Sequence, residues 1–227
     1  MEIKYLITGT GRSGTVHMAK FMTSIGLTCG HESVFTNEGM QGFKERIEKI
    51  KPIETSEVSC KEKEVYDKSW FDKNKQIAES SYMAAPFIDQ CEWDIIHVVR
   101  NPLKVISSTL IDAKFFTDIK QKPYYDFVCD HVEIKDIKNH TERITAYYVL
   151  WNKMIESKIQ KNKYILIRIE DKKDKLFEFL NICPPKKYFQ EKANMWNLRT
   201  FDLTLDHIPN GTIKNDFMEI MNEYGYL

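Results

Sequence analysis

The chain has 227 residues, and its 33 Lys and Arg residues balance 33 Asp and Glu residues, so the formal net charge is zero. This length and balance indicate a single domain and argue against a general nucleic-acid binder, which would carry an excess of basic residues. Five widely spaced cysteines without a CxxC pair predict reduced thiols, and neither a signal peptide nor an apolar run of about 18 residues occurs. We therefore expect a cytoplasmic protein without a membrane span.

Three apolar runs predict buried strands, and a helical pattern follows each of them. The runs are Tyr5–Thr8, Asp94–Val99 and Tyr164–Ile169, and a shorter strand is predicted at Leu27–Cys29. Runs that are apolar on both faces and alternate with helices are typical of a parallel sheet covered on both sides. The sequence thus predicts one α/β domain over residues 1–227, with three layers and a central, mostly parallel sheet. Insertions are expected near 33–75 and 115–138.

Further helices are predicted from apolar periodicity and capping signals. A short helix is expected at Gly39–Ile50, a surface loop at Lys51–Lys75, a long helix at Thr141–Lys158 and a last helix near Lys214–Tyr224. Asn139, followed by Glu142 three residues later, is the N-terminal signal of the long helix. We expect the aromatic stripe of that helix, which includes Tyr147, to belong to the core.

The stretch ITGTGRSGTVHMAKFM places a glycine turn between the first strand and the first helix. Gly9 and Gly14 have the spacing of a P-loop, but Thr15 and Val16 stand where the nucleotide-binding Lys and the magnesium-binding Ser or Thr belong. A helix N-terminus behind a glycine turn can still bind an anion through its unpaired N–H groups. We therefore predict a site for one phosphate, alone or joined to another group, held without a metal. The predicted site residues are Gly11, Arg12, Ser13, Gly14, Thr15 and Val16. The alternative is a glycine turn that binds nothing.

A second stretch, HVVRNPLKVISST, places Arg100 at the end of the second long strand and Ser108 on the following helix. Ligands of parallel sheets lie at the carboxyl ends of the strands, so Arg100 and the glycine turn are expected to share one crevice. Taken alone, Arg100 could equally serve a structural ion pair. Taken with the glycine turn, it predicts a ligand with two phosphoryl ends.

GRSGT and VVRNPLKVISS resemble the two cofactor motifs of the sulfotransferases that use 3′-phosphoadenosine 5′-phosphosulfate (PAPS). The stretches CGHESVF, ESSYMAAPF, YYVLWNKMIE and FDLTLDHIPNG…YGYL resemble the bacterial and viral branch of that family, so the likeness covers most of the chain. The resemblance implies a nucleotide-binding fold of the P-loop type. It also implies that the glycine turn holds the 5′-phosphosulfate and that Arg100 and Ser108 hold the 3′-phosphate. The Arg-Lys-Gly segment of the eukaryotic cytosolic members is missing, and Arg199 is a candidate to replace it.

The resemblance implies transfer of a sulfuryl group from PAPS to a hydroxyl or amine, with 3′,5′-bisphosphoadenosine (PAP) as product and no metal. Arg12 would stabilise the leaving phosphate, and Glu32, or else His31, would take the proton of the acceptor. Glu32 could instead pair with an arginine. Two other functions remain open: a P-loop kinase of a small metabolite and a non-catalytic binder of PAP or another nucleotide.

The acceptor itself is not specified by the sequence, and a small molecule, a carbohydrate and a lipid head group all fit. We expect the acceptor pocket to be built from Phe35–Phe43, Tyr82–Phe87 and the insertion at Phe115–Tyr125. Glu79, Ser80 and Ser81 are further candidates for its lining.

Overall fold

The computed structural model describes residues 3–47, 76–113, 122–185 and 202–227. Its strands are β1 (Tyr5–Thr8), β2 (Cys29–His31), β3 (Ala78–Ser80), β4 (Asp94–Val99) and β5 (Tyr164–Arg168). Its α-helices are α1 (Thr15–Ser24), α2 (Gly39–Ile47), α3 (Pro102–Ser108), α4 (Lys122–Cys129), α5 (His140–Lys158), α6 (Asp174–Leu180) and α7 (Thr212–Glu223). A 3₁₀ segment at Tyr82–Gln90 leads from β3 to β4.

The five strands form one parallel sheet in the order β2-β3-β1-β4-β5. The predicted α/β class and the parallel sheet are therefore confirmed. The chain leaves β1 toward the β2 edge, whereas it leaves β4 toward the β5 edge. Because these neighbouring strands connect in opposite directions, a crevice opens between their carboxyl ends, where ligands of open α/β sheets bind.

Helices cover both faces of the sheet. Successive side chains of each strand point to opposite faces, so both faces carry apolar groups. On one face, Tyr5 and Ile7 of β1 pack with α1 and α6. On the other face, Leu6 belongs to a cluster that includes Trp151 of α5 and residues of the 3₁₀ segment. A third cluster joins α3, α5 and α7, with Phe217 fully buried at its centre. This three-layer packing fixes the positions of the loops that follow the strands.

Most predicted elements are found within a few residues of their expected bounds. The first two long strands match, the third ends at Arg168 instead of Ile169, and the last helix begins earlier, at Thr212. The long helix begins at His140, and the predicted cap is present, since Asn139 Oδ1 accepts a hydrogen bond from the Glu142 N–H at 3.0 Å.

One predicted strand is shifted in the structure, and two elements were not predicted. The short strand predicted at Leu27–Cys29 lies at Cys29–His31, because the Leu27 N–H caps α1 by donating to the Met22 carbonyl at 3.0 Å. Strand β3 and the 3₁₀ segment were not predicted at all. The insertion expected near 115–138 contains α4. The surface loop predicted at Lys51–Lys75 lies outside the described residues.

The aromatic residues expected around an acceptor pocket are largely in the core. Phe35 is fully buried, stacks on Phe43 with ring centroids 4.5 Å apart, and meets Trp93 edge-on at 5.7 Å. Stacked and edge-on ring pairs of this kind stabilise a packed interior. Phe35 and Phe43 therefore belong to the core, and the lining of the acceptor pocket by Phe35–Phe43 stays a prediction.

Candidate functional site

The loop after β1 holds the N-terminus of α1 in a conformation that depends on glycine. Gly14 has a φ of 109°, and a Cβ there would overlap Ile169 Cδ1, so both the backbone angle and the lack of space require glycine. Gly14 is also the N-cap of α1, and among the described residues no side-chain cap hydrogen bond is made at this end of the helix. The N–H groups of the first turn are therefore directed toward the loop, where a ligand could accept their hydrogen bonds.

A buried hydroxyl lies in the same loop. Ser13 is fully buried, its N–H donates to the Thr10 carbonyl at 3.1 Å, and its Oγ has no hydrogen-bond partner among the described residues. The hydroxyl of Thr10 is likewise buried without a partner in that part of the chain. Unsatisfied buried hydroxyls are costly in free energy, and a polar ligand in the loop could satisfy them. Together with the uncapped helix, they suit an anion.

Arg12 and Ser108 join the loops that follow β1 and β4. Arg12 adopts a φ of 70°, and its Nε donates to Ser108 Oγ at 2.9 Å. Arg100 is 5 % exposed, and its Nη1 donates to the Arg12 carbonyl at 3.4 Å. The two predicted phosphate-binding groups are therefore in direct contact across the crevice. Since Ser108 Oγ accepts from Arg12, its own proton can be donated to a ligand.

Arg100 has charged neighbours of both signs. Burial lowers the pKa of Arg100, Glu170 raises it, and the positive charge of Arg12 lowers it again. Glu170 is tied to the same turn, because its Oε1 accepts from the Asn101 N–H at 2.9 Å and its Oε2 from the Tyr226 hydroxyl at 2.7 Å. A bound anion would relieve the repulsion between the two guanidinium groups.

His31 and Glu32 reach the same crevice from the end of β2. His31 Nε2 lies 3.2 Å from Thr15 Oγ1 and 3.9 Å from Glu32 Oε1. Ser80 on the neighbouring strand donates its hydroxyl to the Thr15 carbonyl at 2.8 Å, which fixes the first turn of α1 against the sheet. Glu32 itself has a φ of 50°, an uncommon angle for a residue other than glycine.

Burial shifts the two side chains in ways that suit proton transfer. The pKa of Glu32 is raised to about 7, mainly by burial and to a smaller extent by the negative charge of Glu79. Burial lowers the pKa of His31 to about 4, so this imidazole is neutral at neutral pH. The contact between them is therefore not an ion pair. A carboxylate that titrates near 7 is well matched to the work of a general base.

Tyr147 on α5 is a site residue that the sequence did not reveal. Its hydroxyl accepts a hydrogen bond from the Gly11 N–H at 2.8 Å, although the ring is buried in the core as predicted. Burial raises the pKa of Tyr147, and the charge of Glu32 contributes to this shift, so Glu32 and Tyr147 are electrostatically coupled. The apolar stripe of α5 carried no signal that one of its rings would contact the loop.

The predicted site residues thus lie around a single crevice, with differences in detail. Gly11 through Gly14 form the loop, Thr15 begins α1, and Val16 is 50 % exposed on the first turn of that helix. Ser81, a candidate for lining an acceptor pocket, instead caps the 3₁₀ segment by accepting from the Met83 N–H at 3.2 Å. Glu79 and Ser80 are fully buried and bind the surrounding chain. Arg199 lies outside the described residues.

Within residues 3–47, 76–113, 122–185 and 202–227, no three or more His, Cys, Asp or Glu side chains gather in a way that could hold a metal ion. None of the helices that the structure describes combines the length and apolar character needed to cross a bilayer. No protein-family model matched the chain, and no curated protein matched it either.

Proposed function

We propose that this chain is a PAPS-dependent sulfotransferase of the P-loop type. The observation that carries the proposal is the meeting of separate motifs at one crevice: Arg12 contacts Ser108 and Arg100, while His31 beside Glu32 contacts Thr15. Two cationic side chains, an uncapped helix and a poised carboxylate are the parts that transfer from an anionic donor requires.

Each part has a distinct task when PAPS is bound. PAPS supplies an activated sulfuryl group on its 5′-phosphate. The first turn of α1 and the hydroxyl of Ser13 would hold the 5′ end, and Arg12 would stabilise the negative charge that develops there. Arg100 and Ser108 would hold the 3′-phosphate. The Lys and hydroxyl that a triphosphate and its magnesium need are replaced by Thr15 and Val16, which is consistent with this donor.

Glu32 would take the proton from the acceptor. Its pKa of about 7 leaves a useful fraction of the base ionised at neutral pH, while the proton it accepts is held firmly enough to favour transfer. His31 would orient rather than accept, since a pKa of about 4 makes it a weak base and its Nε2 already contacts Thr15. The acceptor is a hydroxyl or amine whose class remains to be identified.

Ligand binding tests the proposal directly. PAP without metal should raise the melting temperature, because binding to the native state adds about 2.7 kcal/mol at a hundredfold excess over the dissociation constant. ATP with magnesium should raise it much less, and EDTA should not affect the response to PAP. An equal or larger response to ATP with magnesium would favour a small-metabolite kinase and contradict the proposal.

A substitution assigns the binding to the crevice. Arg100→Ala should weaken PAP by about 1.5–3 kcal/mol, the usual contribution of a hydrogen bond to a charged group. Adenosine 5′-phosphosulfate, which lacks the 3′-phosphate, should bind the variant about as well as the parent. Lys104→Ala, which removes an exposed cation from α3, is the matched control and should affect neither ligand. Equal weakening of both ligands by Arg100→Ala would make Arg100 structural.

A further inference from the structure

Glu79 is a buried carboxylate to which the proposed reaction gives no task. It lies in the middle of β3 and is fully buried, which is rare for a Glu unless it is well bound. Its Oε1 accepts hydrogen bonds from three consecutive backbone N–H groups, those of Ser33 at 2.8 Å, Val34 at 3.1 Å and Phe35 at 3.3 Å. The carboxylate thus holds the chain that follows Glu32.

The other oxygen of Glu79 is held by side chains. Its Oε2 accepts from Ser33 Oγ at 2.6 Å and from Gln76 Nε2 at 2.7 Å. Gly30 on β2 makes room for this group, because a Cβ there would lie 2.5 Å from Glu79 Oε2 and would overlap Ser33 Oγ. Backbone and amide N–H groups can only donate, so this environment favours the ionised carboxylate.

The hydrogen bonds of Glu79 also restrict the backbone at Glu32. On one side, the Glu32 N–H donates to the Ser80 carbonyl of β3 at 3.1 Å. On the other side, Ser33 is bound by Glu79 through both its N–H and its hydroxyl. Glu32 lies between these two anchors with a φ of 50°, a strained angle that persists only when the surroundings enforce it.

Among the described residues, four titratable groups interact electrostatically with Glu32 or lie within 4 Å of it. These groups are His31 on β2, Glu79 on β3, Tyr82 in the 3₁₀ segment and Tyr147 on α5. Burial keeps His31 neutral and raises the pKa of both phenols, so these three carry no charge near neutral pH. The pKa of Glu79 is raised overall, because the effect of burial exceeds that of the hydrogen bonds from Ser33, Val34 and Phe35, which lower it.

We propose that Glu79 is the positioning residue of Glu32. Its carboxylate fixes the turn that carries Glu32 toward the crevice, and its negative charge opposes a second negative charge on Glu32. Glu79 touches neither donor nor acceptor and acts only through Glu32. This role rests on the proposed function only where Glu32 serves as the base; the electrostatic coupling of the two carboxyl groups can be measured without any activity.

The test is a titration of the side-chain carboxyl carbons by NMR, with resonances assigned through the backbone. In the parent protein, the Glu32 midpoint should lie near 7. The proposal also requires Glu79 to be ionised at pH 7, because every hydrogen bond to its carboxylate is donated by its partner. Glu79→Gln keeps the shape of the side chain and lets one oxygen accept the three backbone N–H groups. The Glu32 midpoint should then fall by at least about half a pH unit, since a like charge has been removed. Glu178→Gln, which removes an exposed carboxylate from α6, should leave the midpoint unchanged.

An unchanged Glu32 midpoint in folded Glu79→Gln protein would overturn the role of Glu79. So would a parent protein in which Glu79 is protonated at pH 7, and this second measurement holds even if the variant does not fold. The pH dependence of PAPS hydrolysis separates this role from the function. Its acid limb, where the rate falls as the pH is lowered, should move with the Glu32 midpoint. If the midpoint moves and the acid limb does not, the coupling stands and Glu32 is not the base.

Discussion

The loop after β1 and the turn after β2 both present polar groups to one crevice, but they are held in different ways. The first depends on Gly14, whose positive φ and missing side chain are local properties of the sequence. The second depends on Glu79, which lies 46 residues beyond Ser33 and binds it across the sheet. The turn that carries Glu32 can therefore be altered from another strand while the positive φ of Gly14 is kept. Binding and proton transfer should therefore be separable by mutation.

The largest expected effect separates the two regions through turnover. Glu32→Gln keeps the size of the side chain and removes its proton affinity, so turnover should fall by roughly 10²–10⁴-fold. PAP affinity should change only a few fold, because binding belongs to the loop after β1. Slow hydrolysis of PAPS to PAP, with water as acceptor, provides the assay. His31→Asn is the companion variant: a large loss there and a small one in Glu32→Gln would transfer the role of base to His31.

A second effect appears in stability. The folded state raises the pKa of Glu32 to about 7, so between pH 4.5 and 7 the native protein binds more protons than the unfolded chain. Stability is therefore lost as the pH rises through this window, and the loss is complete above it. Glu32→Gln removes the loss and should gain about 1–2 kcal/mol over the parent on going from pH 5 to pH 8, after allowance for solvent screening.

Chemical denaturation at the two pH values measures this gain. The contribution of His31 is common to both proteins and cancels in the difference. A difference between parent and variant that is the same at pH 5 and pH 8 would mean that Glu32 has an ordinary carboxyl pKa, and its assignment as a poised base would lose its support.

The smallest effect concerns the contact that joins the two predicted phosphate-binding groups. Ser108→Ala removes the hydroxyl that accepts from Arg12 Nε and that would donate to the 3′-phosphate. PAP should weaken by about 0.5–1.5 kcal/mol, the net contribution of a typical hydrogen bond, and calorimetry can resolve this difference. Glu32 should titrate as before in this variant. A shifted Glu32 midpoint would show that the two regions are not independent.

The sequence was sufficient for the parts of the fold that local patterns encode. The apolar runs of β1 and β4 and the Asn139 cap predicted their elements directly, because periodicity and capping are properties of neighbouring residues. Strand β3 was missed because its three residues, Ala78–Ser80, include a Glu and a Ser that read as polar. Both polar side chains point into hydrogen-bonded sites that only the folded sheet creates.

The residues of the candidate site also fall into those that a local sequence pattern predicts and those that it does not. The loop residues and Arg100 could be predicted, since glycine spacing and strand ends are visible in one dimension. The contacts of Tyr147 with Gly11 and of Glu79 with Ser33 could not, because each joins residues far apart in the chain. The core position of Phe35 and Phe43 could not be predicted for a related reason: a Phe that lines a pocket and a Phe in the core have the same sequence pattern.

A crystal structure of the protein with PAP tests the central claim most directly. The proposal predicts the 5′-phosphate at the first turn of α1 beside Ser13, and the 3′-phosphate in contact with Arg100 and Ser108. The carboxylate of Glu32 should face the 5′ end, where an acceptor would approach. PAP bound elsewhere, or bound in the crevice with its 3′-phosphate away from Arg100, would contradict the assignment of this site to PAPS.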